Sequence, residues 1–321
     1  EFDRETFGGR LDYFWRQDVS KKHRISVLNT SFSRLVSIDG NFVNQLSPIQ
    51  QLAFNSEFIS SSRWDFTYNG QRESDAPYYH FLKTQLELGG NIQALLKNAS
   101  SAAPSPEDEN EKLWGAPIYQ FTRLETDYRF SWDIDQERQW IQRLQVDYVF
   151  PYGNSVLEDG NSELRLPPFS RFFFLGGSND LRAWQAYRAG GGSRRVTSYD
   201  RSDSSGFATG TMKILFSSEF RFPIYSYLKG AFFVDAGNIW LTGGLENSRP
   251  STRFEVEDLV NDLYLGSGAG LRLDLDYFVI RFDVGLKVRD PGYRATGNEW
   301  VIATKPVFPN LVYNIALGYP F

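Results

Sequence analysis

The chain of 321 residues is 16% aromatic and 23% charged, with 27 glycines and no cysteine. This composition favours β-sheet with many turns, and it excludes a disulfide framework and thiolate metal sites. The net charge of −5 argues against a broad nucleic-acid surface, which needs a clustered basic face, so no nucleic-acid partner is expected.

Polar and apolar residues alternate along much of the chain, which predicts β-strands with two unlike faces. In chain order we predict about twelve strands, near residues 6–17, 22–38, 58–70, 78–97, 117–133, 139–150, 170–178, 208–224, 228–241, 263–276, 277–288 and 311–321. A short helix is predicted after the second strand, where Ser47, Pro48 and Gln50 suit an N-cap, a first helical position and a capping box. Polar loops are predicted at residues 98–113, whose acidic run is either solvated or a cation site, and at 185–207.

The alternation is clearest in residues 122–133 and 277–288. One face of the first segment consists of Leu124, Thr126, Tyr128, Phe130 and Trp132. One face of the second segment consists of Phe278, Ile280, Phe282, Val284 and Leu286. The opposite faces carry charges of both signs. Such a pattern fits either a soluble β-sandwich, with the apolar face as its core, or a membrane barrel, with that face in lipid.

Three features favour the membrane barrel. The predicted strands are long, roughly 10 to 17 residues, where about 5 to 6 is usual and about 9 to 11 cross a bilayer at a tilt. The polar faces combine both charge signs with glycine, as in a polar barrel interior. The apolar faces are rich in Phe, Tyr and Trp, some of them near strand ends. No run of about 18 apolar residues predicts a membrane-spanning helix, so the predicted fold class is an all-β, transmembrane, antiparallel β-barrel.

An isolated arginine follows a Gly-Gly turn in residues 171–184, RFFFLGGSNDLRAW. This segment resembles the signature GG-x-x-x-[VIL]-R-[GA]-[FYW] of the BamA/TamA superfamily of outer-membrane assembly proteins. The matching residues are Gly176, Gly177, Leu181, Arg182, Ala183 and Trp184, with alanine where many members have glycine. In that family the arginine folds back into the barrel from the sixth extracellular loop.

Further segments support the resemblance. Residues 232–240, FFVDAGNIW, are similar to the family's F-x-D-x-G strand, and residues 266–285 resemble its penultimate hairpin. VFPYGNS at 149–155 and LPPFSRFFFLGGSNDLRAW at 166–184 look most like the TamA-like lipoprotein branch of Bacteroidetes, often called TamL. The resemblance implies a barrel of about sixteen strands, so residues 1–321 are expected to be its C-terminal part. The first strands and the POTRA domains are expected upstream.

Strand alternation predicts partners for Arg182 inside the barrel. Alternation places Glu219 on the inner face of one strand, and Phe233, Asp235 and Gly237 on the inner face of the next. A planar guanidinium suits carboxylates, so Arg182 is expected to pin its loop to the wall. The alternative is a solvated arginine at a loop tip.

The final strand, near residues 311–321, has the pattern of a lipid-crossing strand. Its predicted outward residues are Tyr313, Ile315, Leu317, Tyr319 and Phe321, and its predicted inward residues are Asn314, Ala316 and Gly318. Gly318 can kink the strand, and Pro320 has no N–H to donate. By resemblance, Asn314, Ala316, Gly318, Tyr319 and Phe321 belong to a C-terminal signal and to the mobile side of a lateral gate, with a terminal aromatic anchor.

Catalytic patterns are weak. His23 lies in a hairpin-like segment, and His80 shares a face with leucines, so neither is expected to be catalytic. Asp274 and Asp276 alternate with Arg272 and are more simply lumen ion pairs than an acid/base pair. The GSGAG segment at 266–270 lacks a following helix, so its glycines are expected to let a strand bend rather than to bind a dinucleotide. No enzyme activity, cofactor or metal is expected.

Two classes of function follow from this reading. The resemblance implies an assembly factor that inserts or exports outer-membrane proteins, with unfolded clients and membrane lipids as partners. A TamB-like periplasmic protein or accessory lipoproteins would be further partners. The alternative is a passive pore or a surface-exposed structural barrel, which the charged interior fits equally well.

Overall fold

The computed structural model describes residues 2–38, 54, 56–72, 76–92, 94–95, 112–113, 116–117, 119–159, 162–165, 167–193, 208–242, 252–275 and 277–321. Fifteen strands occur in these ranges: β1 Phe2–Arg16, β2 Lys21–Ile38, β3 Glu57–Asn69, β4 Tyr78–Gly89, β5 Lys112–Leu113, β6 Ala116–Pro117, β7 Gln120–Asp133, β8 Gln139–Tyr152, β9 Val156–Asp159, β10 Ser162–Arg165, β11 Met212–Tyr225, β12 Leu228–Trp240, β13 Tyr264–Asp274, β14 Val279–Arg289 and β15 Leu311–Leu317. The helices are α1 Leu259–Asp262 and α2 Val301–Thr304, with 3-10 turns at Gly70–Arg72, Gly153–Ser155, Phe169–Arg171, Pro291–Thr296 and Phe308–Asn310. None of the helices in these ranges is long and apolar enough to span a membrane.

Eleven of the strands form one antiparallel sheet in the order β1-β2-β3-β4-β7-β8-β11-β12-β13-β14-β15. Each strand pairs with its neighbour in the chain, apart from the short β5–β6 and β9–β10 hairpins. Connections alternate between tight turns at one end of the sheet, such as 134–138 and 226–227, and long loops at the other. In the described residues β1 and β15 are the two edges of the sheet, which is not closed.

Burial is inverted relative to a soluble protein. Glu219, Arg272 and Asp283 are completely buried, whereas Phe232 on the opposite face is 58% exposed. Exposed aromatic residues recur on neighbouring strands, as in the facing pair Trp132 and Trp140. An exposed apolar band around a charged interior is the arrangement of a transmembrane barrel, and it excludes the soluble β-sandwich.

Both histidines lie on the outer, aromatic face. His23 in β2 stacks on Trp15, with ring centroids 4.6 Å apart. His80 in β4 is exposed, and its Nδ1 lies 2.7 Å from the hydroxyl oxygen of Tyr128. Each imidazole therefore belongs to a cross-strand aromatic pair of the lipid-facing band.

The strand predicted at residues 170–178 is wrong. The segment contains the 3-10 turn Phe169–Arg171 and only two isolated bridges, Phe173 with Gly210 and Leu175 with Ala189. Phe173 and Leu175 are buried in the core cluster, so the segment lies inside the barrel rather than in its wall. The sheet accordingly has eleven strands instead of the expected twelve.

Other boundaries differ by a few residues. β4 ends at Gly89 rather than near residue 97, because Gly90 has a φ of +76° and its N–H donates to the Ser60 carbonyl. β15 ends at Leu317 rather than at residue 321. The predicted helix around Ser47, Pro48 and Gln50, and most of the predicted loops at 98–113 and 185–207, lie outside the described residues. Asp276 lies outside them as well.

Candidate functional site

The segment between β8 and β11 folds into the interior of the sheet. Gly176 and Gly177 have φ values of +100° and +104°, and the Gly177 N–H donates to the Trp184 carbonyl at 2.8 Å. A side chain on Gly176 would collide with the Gln185 carbonyl, which explains the need for glycine there. Leu181 and Trp184 are buried in the core cluster. The turn therefore projects residues 181–184 inward, and we call residues 176–184 the inserted loop.

Arg182, at the tip of the inserted loop, is completely buried between two carboxylates. Its Nε and Nη2 each donate to Asp235, both at 2.8 Å, and its Nη1 donates to Glu219. The guanidinium carbon lies 3.6 Å from the centroid of the Phe233 ring. Gly237 lies two residues beyond Asp235 in β12, where it faces Leu215 of β11. The structure thus brings Arg182 together with Glu219, Phe233 and Asp235, but not directly with Gly237.

Further arginines extend this cluster across the barrel wall. Glu219 also accepts hydrogen bonds from Arg221 Nε at 2.8 Å and from Arg272 Nη2 at 3.3 Å. Arg272 in turn donates to Asp283 at 2.5 Å, and Arg281 Nε lies 3.4 Å from the same carboxylate. Buried charges are stable only when they are paired in this way. Alternation correctly predicted that these residues face inward, but it does not reveal which charges pair.

Glycines on β13 and β14 make room for the inserted loop. A side chain on Gly266 would collide with the Ala183 methyl group at 2.6 Å, and one on Gly285 would lie 2.6 Å from the Arg182 carbonyl. The Phe233 ring occupies the space where Gly268 would carry a side chain. The glycines of residues 266–270 thus allow close packing, which is a different role from the predicted strand bend.

The edge strand β15 touches the inserted loop directly. Asn314 Nδ2 donates to the Arg182 carbonyl at 2.9 Å, which places Asn314 on the inner face. Ala316 is half-buried and pairs with Arg281 of β14. Tyr313, Ile315 and Leu317 are exposed on the outer face. The loop and the last strand are therefore one connected unit.

The predicted outward orientation of Tyr319 and Phe321 is wrong. Gly318 has a φ of +81°, which turns the chain away from the strand direction and into the barrel. The Tyr319 ring lies 4.1 Å from the Arg221 guanidinium, and its hydroxyl donates to Asp274 at 3.1 Å. Phe321 lies against buried arginines instead of lipid, so it is not an anchor in the apolar band. Cation–π contacts with these arginines account for the difference.

An exposed aromatic band, a charged interior and a loop inserted into that interior define an outer-membrane β-barrel. The Omp85 superfamily domain matches residues 116–302, which include the inserted loop and its partners on β11 and β12. The chain belongs to the Omp85 superfamily, and the protein is located in a bacterial outer membrane.

Solved structures match the chain, and the first of them shares its fold. BamA from Haemophilus ducreyi lacking POTRA domains 1–3 matches with a TM-score of 0.58 and 12% identity, over 98% of this chain and 54% of that one. CdiB from Escherichia coli matches with a TM-score of 0.48 and 12% identity, over 89% of this chain and 42% of that one. No curated protein matches the sequence. The chain spans about half the length of the BamA structure.

Proposed function

We propose that the protein inserts outer-membrane proteins into the membrane or exports proteins across it, using the edge strand β15 as a lateral gate. The observation that carries this proposal is the contact of β15 with the inserted loop through Asn314 and the Arg182 carbonyl. The same arginine is held by Glu219 of β11 and Asp235 of β12. Because Glu219 and Asp235 hold the loop independently of β15, β15 can separate from the loop by breaking the Asn314 hydrogen bond, without unfolding the barrel.

The pairing of β15 supports its role as the mobile side. Only seven residue pairs join β15 to β14, from Leu286–Leu311 to Ile280–Leu317. By comparison, fourteen pairs join β7 to β8. When β15 separates from the strand that closes the complete barrel, its freed side offers N–H and C=O groups to an extended client segment, which adds as a further strand. Because β15 is short and ends at the kink at Gly318, its separation from β14 should cost less free energy than the separation of longer strand pairs such as β7 and β8.

Membership of the Omp85 superfamily and the fold shared with the BamA structure support the wider setting of this proposal. In it, the eleven strands of the sheet are part of a barrel of about sixteen strands. Residues 149–155 and 166–184 support a place in the TamL-like branch, with a TamB-like protein or accessory lipoproteins as partners. The protein acts without enzymatic chemistry, and His23 and His80 serve only the outer aromatic face.

A passive pore or a structural barrel is the competing function. The inserted loop argues against an open channel, because Leu181, Arg182 and Trp184 are buried where a pore would hold water. Conductance in planar bilayers separates the two functions. A pore gives steady ion flow, whereas a barrel filled by the inserted loop gives low and flickering conductance.

A disulfide lock tests the gate itself. The 321 residues contain no cysteine, so none of them competes with an engineered disulfide between a cysteine at Leu317 and one on the first strand of the complete barrel. We expect the oxidised protein to remain folded but to lose client assembly, and reduction to restore it. The control is a second pair of cysteines, at Leu144 of β8 and Phe216 of β11, which are directly paired in the middle of the sheet. This disulfide should leave assembly unchanged. Full assembly by the verified β15 lock would exclude the gate.

A further inference from the structure

A groove on the outside of the sheet lies between the tight turn at 134–138 and the ends of β11 and β12. Its volume is about 760 Å³. It is lined by residues 135–138 of the turn, by Phe220, Phe222 and Pro223 of β11, and by Phe232 of β12. We call it the aromatic groove. The turn forms a polar wall and the two strands form an apolar wall.

The apolar wall is a row of stacked phenylalanine rings. The ring centroids of Phe220 and Phe222 are 5.9 Å apart, and those of Phe222 and Phe232 are 5.3 Å apart. The rings lie on the outer face, because Arg221, between the two β11 rings in sequence, is buried on the inner face. A side chain on Gly230 would collide with the Phe222 ring, so this glycine lets the ring lie over β12. A continuous apolar strip of this kind suits a hydrocarbon chain.

The polar wall is a turn closed by one of its own carboxylates. Asp135 Oδ1 accepts hydrogen bonds from the backbone N–H groups of Glu137 at 2.9 Å and Arg138 at 2.7 Å. Asp135 Oδ2 accepts one from Arg138 Nε at 2.6 Å, so the charges of these two side chains neutralise each other. Among the described residues, no cation or hydrogen-bond donor pairs with the Glu137 carboxylate. The turn therefore presents one uncompensated negative charge to the groove.

The position of the groove in the barrel indicates the environment of its ligand. The turns at 134–138 and 226–227 lie at the tight-turn end of the sheet, and the short turns of outer-membrane barrels face the periplasm. Trp132 and Trp140, which flank the first turn, are exposed on the outer face, as in the aromatic belt of a membrane–water interface. The groove thus lies at the level of the lipid headgroups of the periplasmic leaflet.

We propose that the aromatic groove binds one phospholipid whose headgroup carries a primary ammonium, as in ethanolamine phospholipids. The ammonium donates to the Glu137 carboxylate, a phosphate oxygen accepts from the Gln136 side-chain amide, and an acyl chain lies along the phenylalanine rings. Charge complementarity selects this headgroup. An anionic headgroup is repelled by the uncompensated Glu137, and a choline headgroup has no N–H to donate. The site lies apart from β15, so the inference goes beyond the proposed function.

Lipid binding by the full-length protein in detergent tests the proposal. Delipidated protein is titrated with three phospholipids that have identical acyl chains and ethanolamine, glycerol or choline headgroups. Native mass spectrometry then counts the bound lipids at each concentration. We expect the first ethanolamine lipid to bind about fivefold more tightly than either of the other two, which is the factor that a partly exposed ion pair can supply.

Three variants and a matched control locate the site. Glu137→Gln removes the charge with little change in shape, so it should abolish the headgroup preference, whereas Glu137→Asp keeps a carboxylate and should retain much of it. Phe222→Ala removes the central ring and should weaken binding of all three lipids about tenfold. Glu257→Gln, the control, makes the same charge change at an exposed position in the long loop between β12 and β13. It should bind lipids as the wild type does.

Heat-modifiable migration in gels establishes that each variant is folded. Equal binding of the three lipids by the wild type would overturn the inference, as would an unchanged headgroup preference in folded Glu137→Gln. Binding that persists at full strength in Phe222→Ala would place the lipid elsewhere on the barrel and would overturn it as well. Loss of the preference in Glu257→Gln would assign the preference to net charge rather than to the groove, with the same consequence.

Discussion

Replacement of Arg182 by alanine should release the inserted loop. In the described residues, every hydrogen bond to the Asp235 carboxylate comes from Arg182. Glu219 keeps Arg221 and Arg272 as partners, so Asp235 is the charge left unpaired. Removal of one partner of a buried ion pair costs about 3 to 5 kcal/mol, which lowers the population of the inserted loop at least about a hundredfold.

Limited proteolysis of the loop in detergent measures this effect. Arg182→Ala should make protease cleave residues 167–193 faster, and it should reduce client assembly. Adding Asp235→Asn to this variant removes the unpaired charge, so it should recover about 1 to 3 kcal/mol of the free energy that holds the loop inside the barrel. Arg182→Lys keeps the charge without the planar fork, so its loss should be intermediate.

A matched control uses an arginine whose ion pair is exposed. Arg138 pairs with Asp135 in a tight turn at 2.6 Å, and more than half of its side chain is exposed. Arg138→Ala should change stability by less than about 1 kcal/mol, because exposed pairs contribute little. Unchanged protease resistance and assembly in Arg182→Ala would show that Arg182 does not hold the loop, as would an equal effect of Arg138→Ala.

Three further predictions concern packing, the kink and pH. Gly285→Ala should destabilise the barrel by about 1 to 3 kcal/mol in urea unfolding, because its methyl group would strike the loop backbone at Arg182, whereas Gly9→Ala, with open space, should cost far less. Gly318→Ala should disfavour the inward turn, because its φ of +81° strains any residue with a Cβ, and it should expose Tyr319 to labelling. Burial raises the pKa of Asp262 in α1, so protonation stabilises the fold, and the loop at 252–263 should become more protease-resistant as the pH falls through that raised pKa.

Each of these predictions has a clear contrary result. Equal unfolding midpoints for Gly285→Ala and Gly9→Ala would mean that the loop does not fill the space beside β14. Unchanged labelling of Tyr319 in Gly318→Ala would mean that the glycine does not set the turn. Persistence of the pH dependence in Asp262→Asn would assign it to another group.

Period-two alternation was sufficient to predict the sheet because the signal is local. Each residue's face follows from its neighbours two positions away, which is why Glu219 and Asp235 were placed inside without knowledge of the fold. The same pattern led to a wrong strand at residues 170–178, because an apolar run has the same composition in a strand of the barrel wall and in a loop enclosed by the barrel. The choice between them depends on Gly210 and Ala189, which bridge Phe173 and Leu175 from outside the segment.

Distant contacts account for what the sequence did not reveal about the site. The sequence indicated a kink at Gly318 but not its direction, because the arginine that holds Tyr319 lies on β11, nearly a hundred residues earlier. The family resemblance identified Arg182. It did not reveal the ion pair between Arg272 and Asp283, because that pair depends on the register of β13 against β14. Side-chain pairing across strands requires the register, which alternation alone leaves open.

Site-specific cross-linking during client assembly tests whether β15 is a lateral gate. A cysteine at Ile315, on the outer face of β15, is compared with one at Leu144, which is also on the outer face but lies on β8 between two paired strands. The client carries a single cysteine in its last strand and is stalled during insertion. We predict disulfide formation with Ile315→Cys and none with Leu144→Cys. Equal cross-linking at both positions, or none at Ile315→Cys while assembly proceeds, would contradict a lateral gate at β15.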